Sequence, residues 1–208
     1  MSTPPSALIF DFGNVLAHFD YAIACERLAR PMGLTGRDFL ETARDRGLMP
    51  LVHQYERGDM TSREFTSRAT ALMGLDLSHD EFAAAWADIF QLNESVAALV
   101  AGLKASGYTL LLGSNTNEIH ARQFRRQFAE SLAHFDRLVL SFEVREIKPA
   151  AGFYHACARA ARRPPHECAF IDDMPENVAG ARAAGLTALH YRDTPSLIED
   201  LHGLGVVL

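Results

Sequence analysis

Five apolar, β-rich runs, at residues 7–11, 109–114, 137–142, 168–172 and 186–191, are each bounded by turn signals. Four of the five lack strict apolar–polar alternation, the pattern of strands buried on both faces. Strands of that kind belong to a parallel sheet, and a parallel sheet needs crossover helices to cover it. The intervening segments supply them. Residues 96–106 follow Asn93 as a candidate cap and stop at Gly107, residues 153–162 end before Pro164-Pro165, and residues 178–184 are stopped by Gly185. Residues 206–208 are a possible sixth strand. The chain therefore reads as an α/β protein with a Rossmann-like parallel sheet core built from right-handed βαβ units.

Residues from about 20 to 91 read differently. Asp20 can cap a helix over 21–29 that stops at Pro31, and Thr35 one over 36–46 that stops at Gly47. Thr61-Ser62-Arg63-Glu64 and Ser78-His79-Asp80-Glu81 fit the capping-box pattern and open helices ending near Met73 and Leu92. Four helices with no convincing strand, placed between the first strand and the second, cannot join the sheet. The division expected is a core of residues 1–19 and 92–208 with a helical cap of residues 20–91.

Bulk properties narrow the function. At 208 residues there is room for one substantial core plus a lid, and 48% hydrophobic with 22% charged residues is ordinary for a globular protein. A formal charge of −6 argues against nucleic acid as a partner. No apolar stretch approaches the ~20 residues that span a bilayer, so no membrane association is expected. The segment Met1-Ser2-Thr3-Pro4-Pro5-Ser6 lacks signal-peptide character, which makes a cytoplasmic location the default expectation. Cys25, Cys157 and Cys168 show no CxxC spacing and read as reduced packing residues. Of 20 basic residues only Lys104 and Lys148 are lysines. Lys104 falls on an exposed helical face; Lys148 does not.

Four strand ends carry polar groups. Asp11 closes the first apolar run, where a charge costs desolvation unless a partner or cation compensates it, although a turn or helix-cap aspartate has the same look. Leu112-Gly113-Ser114-Asn115-Thr116-Asn117 puts a hydroxyl and several N–H groups where a strand turns toward a helix, an anion cradle or a plain polar turn. Ile147-Lys148-Pro149 is a loop feeding a helix. Its ammonium could neutralise a carboxylate and a phosphoryl oxygen together, or simply sit in solvent. Asp172-Asp173 ends the fourth run, and adjacent carboxylates there are hard to keep ionised without a cation. Hard oxygen ligands favour Mg²⁺.

In this order the residues resemble the four motifs of the haloacid dehalogenase-like hydrolase superfamily, with Asp11, Ser114, Lys148 and Asp172-Asp173 matched in turn. Phe10-Asp11-Phe12-Gly13-Asn14-Val15-Leu16, Ser114-Asn115-Thr116-Asn117 and Glu56-Arg57-Gly58 look most like its bacterial alpha-D-glucose-1-phosphate phosphatase branch. The resemblance implies a Rossmann-like core with a C1-type cap and a phosphatase acting on a small phosphorylated metabolite, a sugar 1-phosphate among the candidates. It implies Asp11 as nucleophile, and Mg²⁺ held by Asp11, the Gly13 carbonyl and Asp173, with Asp172 as ligand or orienting group. Ser114 and the Asn115 N–H would hold the phosphoryl oxygens, and Lys148 would offset charge between nucleophile and phosphate.

One position departs from the superfamily pattern. Its phosphatases commonly carry a second aspartate, the general acid/base, where this chain has Gly13. Either the substrate has a good leaving group or the cap supplies a proton donor, with His18 and His53 as candidates. Specificity is expected around residues 49–58 and near Trp86, whose neighbours Phe82, Ile89 and Phe90 read as the cap's own core. Two rival readings stand beside this one. A 2-haloacid dehalogenase needs no metal, and Asp172-Asp173 weighs against it. A non-catalytic binding protein of the same fold would not need Asp11, Lys148 and both aspartates intact.

Overall fold

The computed structural model describes residues 4–207. Strand β1 (Ala7–Phe10) leads to a short β2 (Ala17–Phe19), then to α1 (Tyr21–Ala29), α2 (Gly36–Asp45), α3 (Leu48–Glu56), α4 (Ser62–Met73) and α5 (His79–Ala87). The chain returns through β3 (Phe90–Leu92) into α6 (Glu94–Ala105) and β4 (Thr109–Ser114). Next come α7 (Glu118–Gln127), α8 (Ala129–Leu132), β5 (Arg137–Leu140) and α9 (Ser141–Val144). The last elements are α10 (Ala151–Ala161), β6 (Cys168–Asp172), α11 (Pro175–Ala183), β7 (Thr187–His190) and α12 (Thr194–Gly203).

The main sheet has the order β5-β4-β1-β6-β7, and every pairing in it is parallel. From β1 the chain builds outward on one side through β4 and β5, then crosses back to β6 and β7. The order therefore reverses at β1, where an open α/β sheet leaves a crevice beyond its carboxyl ends. All four β1 residues are fully buried, as a continuous apolar run requires. Their side chains alternate between two cores. Leu8 and Phe10 pack with Val100, Phe124 and Leu201 of α6, α7 and α12. Ala7 and Ile9 pack with Phe153 and Val178 of α10 and α11. Each of the larger buried side chains, Leu8, Ile9 and Phe10 among them, contributes about 1.5–3 kcal/mol.

Helices α1 to α5 bury a third core that includes Leu28, Phe39, Tyr55, Phe65, Phe82 and Trp86. The capping signals work as written in the sequence. Asp20 accepts the Ala22 N–H, and reciprocal boxes form at Thr35/Asp38, Thr61/Glu64 and Ser78/Glu81.

Several expectations are corrected. The inserted segment holds five helices where four were expected; the additional one is α3, whose N-cap is Gly47, with φ +80° and no side-chain cap. Helix α5 ends at Ala87 rather than near Leu92, because Phe90–Leu92 pairs antiparallel with Ala17–Phe19 in a two-stranded ribbon. Helix α7 follows the 114–117 turn, where a helix was expected without bounds, and Asn117 caps it; α12, capped by Asp193, was not among the expected helices. The Asn93 amide does not cap α6 but donates to the Val15 carbonyl (3.0 Å) and the Tyr191 hydroxyl (2.9 Å). Val206 and Val207 form no strand, and Leu208 lies outside the described residues. The three cysteines are free, and Lys104 pairs with Asp136 across a half-exposed surface. Among the described residues no helix is long and apolar enough to cross a membrane.

Candidate active site

The parallel register places the polar strand ends side by side. Phe10 is level with Leu112 of β4 and Ile171 of β6, so Asp11 emerges beside Gly113-Ser114 on one flank and Asp172 on the other. The Asp11 N–H donates to the Ile171 carbonyl at 2.9 Å, which holds the residue at the sheet edge. Its Oδ1 accepts the Phe12 N–H at 2.7 Å.

Lys148 closes the arrangement. Its Nζ lies 2.7 Å from Asp11 Oδ1 and 2.7 Å from Asp172 Oδ2. All three side chains are buried, Asp172 completely. The other Asp172 oxygen accepts the Met174 N–H (2.9 Å) and the Asn177 amide (3.0 Å). Asp173 is half-buried and accepts from the Asn14 amide at 3.1 Å. Asn14 reaches it from a left-handed backbone conformation, φ +55°, that asparagine tolerates.

The Asn115 side chain has a role the sequence did not signal. Its Nδ2 donates to the Lys148 carbonyl (3.1 Å) and its Oδ1 accepts the Lys148 N–H (2.8 Å). The loop after β4 thus grips the backbone of the residue that carries the ammonium. Ser114 is buried at the same edge, with its hydroxyl donating to the Asn115 carbonyl only at a long 3.3 Å.

Charge in the site does not balance. Asp11, Asp172 and Asp173 each bring a carboxylate oxygen within 4.8 Å of the other two, and Lys148 is in contact with the first two only. Burial pushes the Asp11 carboxyl up to about 7; Lys148 pulls it back and Asp172 adds to the rise. Burial likewise raises Asp173, against the Asn14 hydrogen bond. Burial alone would lower Lys148, but the two carboxylates outweigh it and hold the ammonium above its ordinary range. Clustered hard oxygen donors with uncompensated negative charge fit a divalent cation such as Mg²⁺. Gly13 lines the same cavity next to Asp11.

That cavity, about 430 Å³, runs from Asp11, Ser114, Lys148 and Asp173 toward Phe19, Tyr21, His53 and Glu56. Of the two histidines expected as proton donors, His53 lines it and His18, on β2, does not. Glu56, at the end of α3, falls in the 49–58 stretch expected to set specificity and in the Glu56-Arg57-Gly58 resemblance, with no catalytic role signalled by the sequence. Burial lifts its carboxyl to about 7. His120 also lines the wall, with Nε2 3.2 Å from the Trp86 carbonyl and Nδ1 3.1 Å from the Asn117 amide. Burial drives it down to about 4, so it stays neutral. Trp86 and Phe82 belong to the helical core, whereas Phe90 lies on the cavity wall.

A family model described as haloacid dehalogenase-like hydrolase matches residues 5–185. The D-ribitol-5-phosphate phosphatase of Bacteroides thetaiotaomicron is 26% identical over 178 residues, 82% of this chain and 84% of that protein. The bifunctional epoxide hydrolase 2 of Rattus norvegicus is 30% identical over 113 residues, 53% of this chain. The match spans only 20% of that longer protein. Among solved structures, the magnesium complex of a HAD-family enzyme from Bacteroides thetaiotaomicron superposes with a TM-score of 0.79 at 25% identity, covering 95% of this chain and 99% of that one. A further structure of that enzyme holds magnesium and inorganic phosphate; its TM-score is 0.75 at 25% identity, with 90% and 94% covered.

Proposed function

The chain belongs to the haloacid dehalogenase-like hydrolases, and from that membership we propose that it is a Mg²⁺-dependent phosphomonoester hydrolase working through an aspartyl-phosphate on Asp11. The observation that carries this reading is the Lys148 ammonium, 2.7 Å from both Asp11 and Asp172 at the reversal point of the sheet. An ammonium so placed lets an anionic phosphate approach an anionic nucleophile. Support comes from a relative named for its action on D-ribitol 5-phosphate, and from the structural neighbour that holds magnesium with phosphate.

In this reading a free Asp11 oxygen attacks phosphorus in line while Oδ1 stays on Lys148, and water later cleaves the acyl phosphate. Ser114 and the Asn115 N–H hold the phosphoryl oxygens. Asp172 keeps Lys148 in place through one oxygen and is itself fixed by Met174 and Asn177 through the other. Asp11, Asp173 and the Gly13 carbonyl would hold the Mg²⁺, with Asp172 at its margin. Bound there, the cation supplies positive charge against the phosphoryl oxygens as negative charge develops. Residues 20–91 act as a lid over the cavity, which suits a small polyol or sugar phosphate, sugar 1-phosphates included.

The test is phosphate release from a panel of sugar and polyol phosphates and an aryl phosphate, with Mg²⁺ or with EDTA. Release should need Mg²⁺, and Asp11→Asn should lower it by at least about 10⁴-fold. Chloride release from 2-chloropropionate that EDTA leaves untouched would replace this reading with a dehalogenase.

A further inference from the structure

We propose that Glu56 is the general acid that protonates the leaving-group oxygen and the general base that then activates water. The inference rests on the phosphatase reading above. An alcohol leaves phosphorus poorly as an alkoxide, so the cavity needs a donor beside the departing oxygen. The loop after β1 supplies none, because Gly13 has no side chain. A Cβ built there would stand 2.9 Å from the Phe19 ring, which already fills the space.

The other titratable groups on the cavity wall are committed or face solvent. Lys148 is shared between two carboxylates. Both His120 nitrogens are engaged, by Trp86 and Asn117. Asp11 and Asp173 belong to the nucleophile and cation cluster. Tyr21 is raised by burial and by the nearby Glu56 charge, so it gives up its proton less readily. His53, one turn earlier on α3, and Glu176, in the first turn of α11, are both exposed.

Glu56 differs on each count. It lines the same cavity as Asp11, and among the described residues its carboxyl has no hydrogen-bond or ion-pair partner. Burial raises that carboxyl to about 7, so it can hold a proton near neutrality.

Its backbone is fixed to the catalytic core. The Ser141 hydroxyl, fully buried, lies 2.6 Å from the Glu56 carbonyl and accepts the Thr116 N–H at 2.9 Å. Thr116 is two residues beyond Ser114, so one hydroxyl joins the phosphate loop to the end of α3. Gly58 deepens the contact: at φ +77° its missing Cβ would fall 2.3 Å from the Phe142 carbonyl. A carboxyl on so fixed a turn can be held over a leaving group.

The steps balance. Asp11 forms a bond to phosphorus as the phosphorus–oxygen ester bond breaks, and the Glu56 proton passes to the departing oxygen, releasing an alcohol. The Glu56 carboxylate then takes a proton from water as that water attacks phosphorus. The bond to Asp11 breaks, phosphate leaves, and both carboxyl groups return to their starting forms.

The full chain with Mg²⁺ would be assayed as wild type, Glu56→Gln and Glu56→Asp, on glycerol 3-phosphate and p-nitrophenyl phosphate. The quantity read is kcat/KM, which reports events up to leaving-group departure. Glutamine should lower it about 10²–10⁴-fold on the alkyl ester and less than about tenfold on the aryl ester, whose leaving group needs little protonation. Aspartate should restore part of the alkyl-ester rate. Equal losses on both esters, or a higher KM at unchanged kcat, would make Glu56 a binding or structural contact and overturn the proposal. A wild type that releases no phosphate from any ester would sink the phosphatase reading and this inference with it.

Discussion

Lys148 touches two carboxylates through one buried nitrogen, and arginine could not repeat this without a wider space for its planar fork. Its role was legible because a lysine before a proline is a local signal in an arginine-rich chain. The structure sets it in the loop between α9 and α10, not at the end of β5 as expected. Glu56 was not legible. A glutamate at a helix end looks like a solvated charge until tertiary closure buries it, and no neighbour in sequence announces that. The burial has a measurable cost. The folded-state carboxyl titrates at about 7, up from 4.5, so folding favours its protonated form. Its contribution is therefore fully present below about pH 4.5 and is lost as pH rises through 7. Glu56→Gln should leave unfolding stability nearly unchanged at pH 4 and raise it at pH 8 by on the order of 1–3 kcal/mol in metal-free protein. Urea unfolding at both pH values measures this, and equal stability at pH 8 would count against a half-buried, unpartnered Glu56.

The contact between α3 and α9 shows what an element adds to its residues. The turn after Glu56 runs so close to the Phe142 backbone that only glycine fits at position 58, which also needs a left-handed φ. Gly58→Ala should cost about 1–3 kcal/mol in urea unfolding. It should also slow turnover, because the end of α3 must back away from Ser141. A variant with wild-type stability and rate would mean the approach is looser than described. The same region marks where elements escape a reading of sequence. Helices α2, α4 and α5 announce themselves through Thr35, Thr61 and Ser78, whose side chains bond locally. Helix α3 begins at a glycine with no side-chain cap, and its Tyr55 and Leu51 turn inward only because neighbouring helices receive them. The β2–β3 ribbon is equally silent, since three-residue strands carry too few positions to show a period.

At the scale of the molecule, the site is a meeting of four chain segments that share no contact until the sheet forms. Three of the segments are strand ends and the fourth is the loop before α10. Each was readable by itself, and the parallel pairing of β4, β1 and β6 with the loop carrying Lys148 supplied the convergence. A cation bound to that convergence should stabilise the whole fold by mass action. Saturating Mg²⁺ at about 100 times its dissociation constant corresponds to roughly 2.7 kcal/mol. For a chain of this size that raises Tm by on the order of 5–10 °C. Thermal unfolding with and without EDTA tests it. Asp173→Asn should erase most of the shift, and an undiminished shift would place the ion elsewhere. The ribbon in which Phe19 faces Phe90 sets the beginning and end of a seventy-residue detour against each other. A detour that starts and finishes at one doorway leaves the strand order of its host undisturbed. Nature or an engineer could therefore trade it for another of different reach without redrawing the sheet, provided the newcomer again set a carboxyl where Glu56 stands.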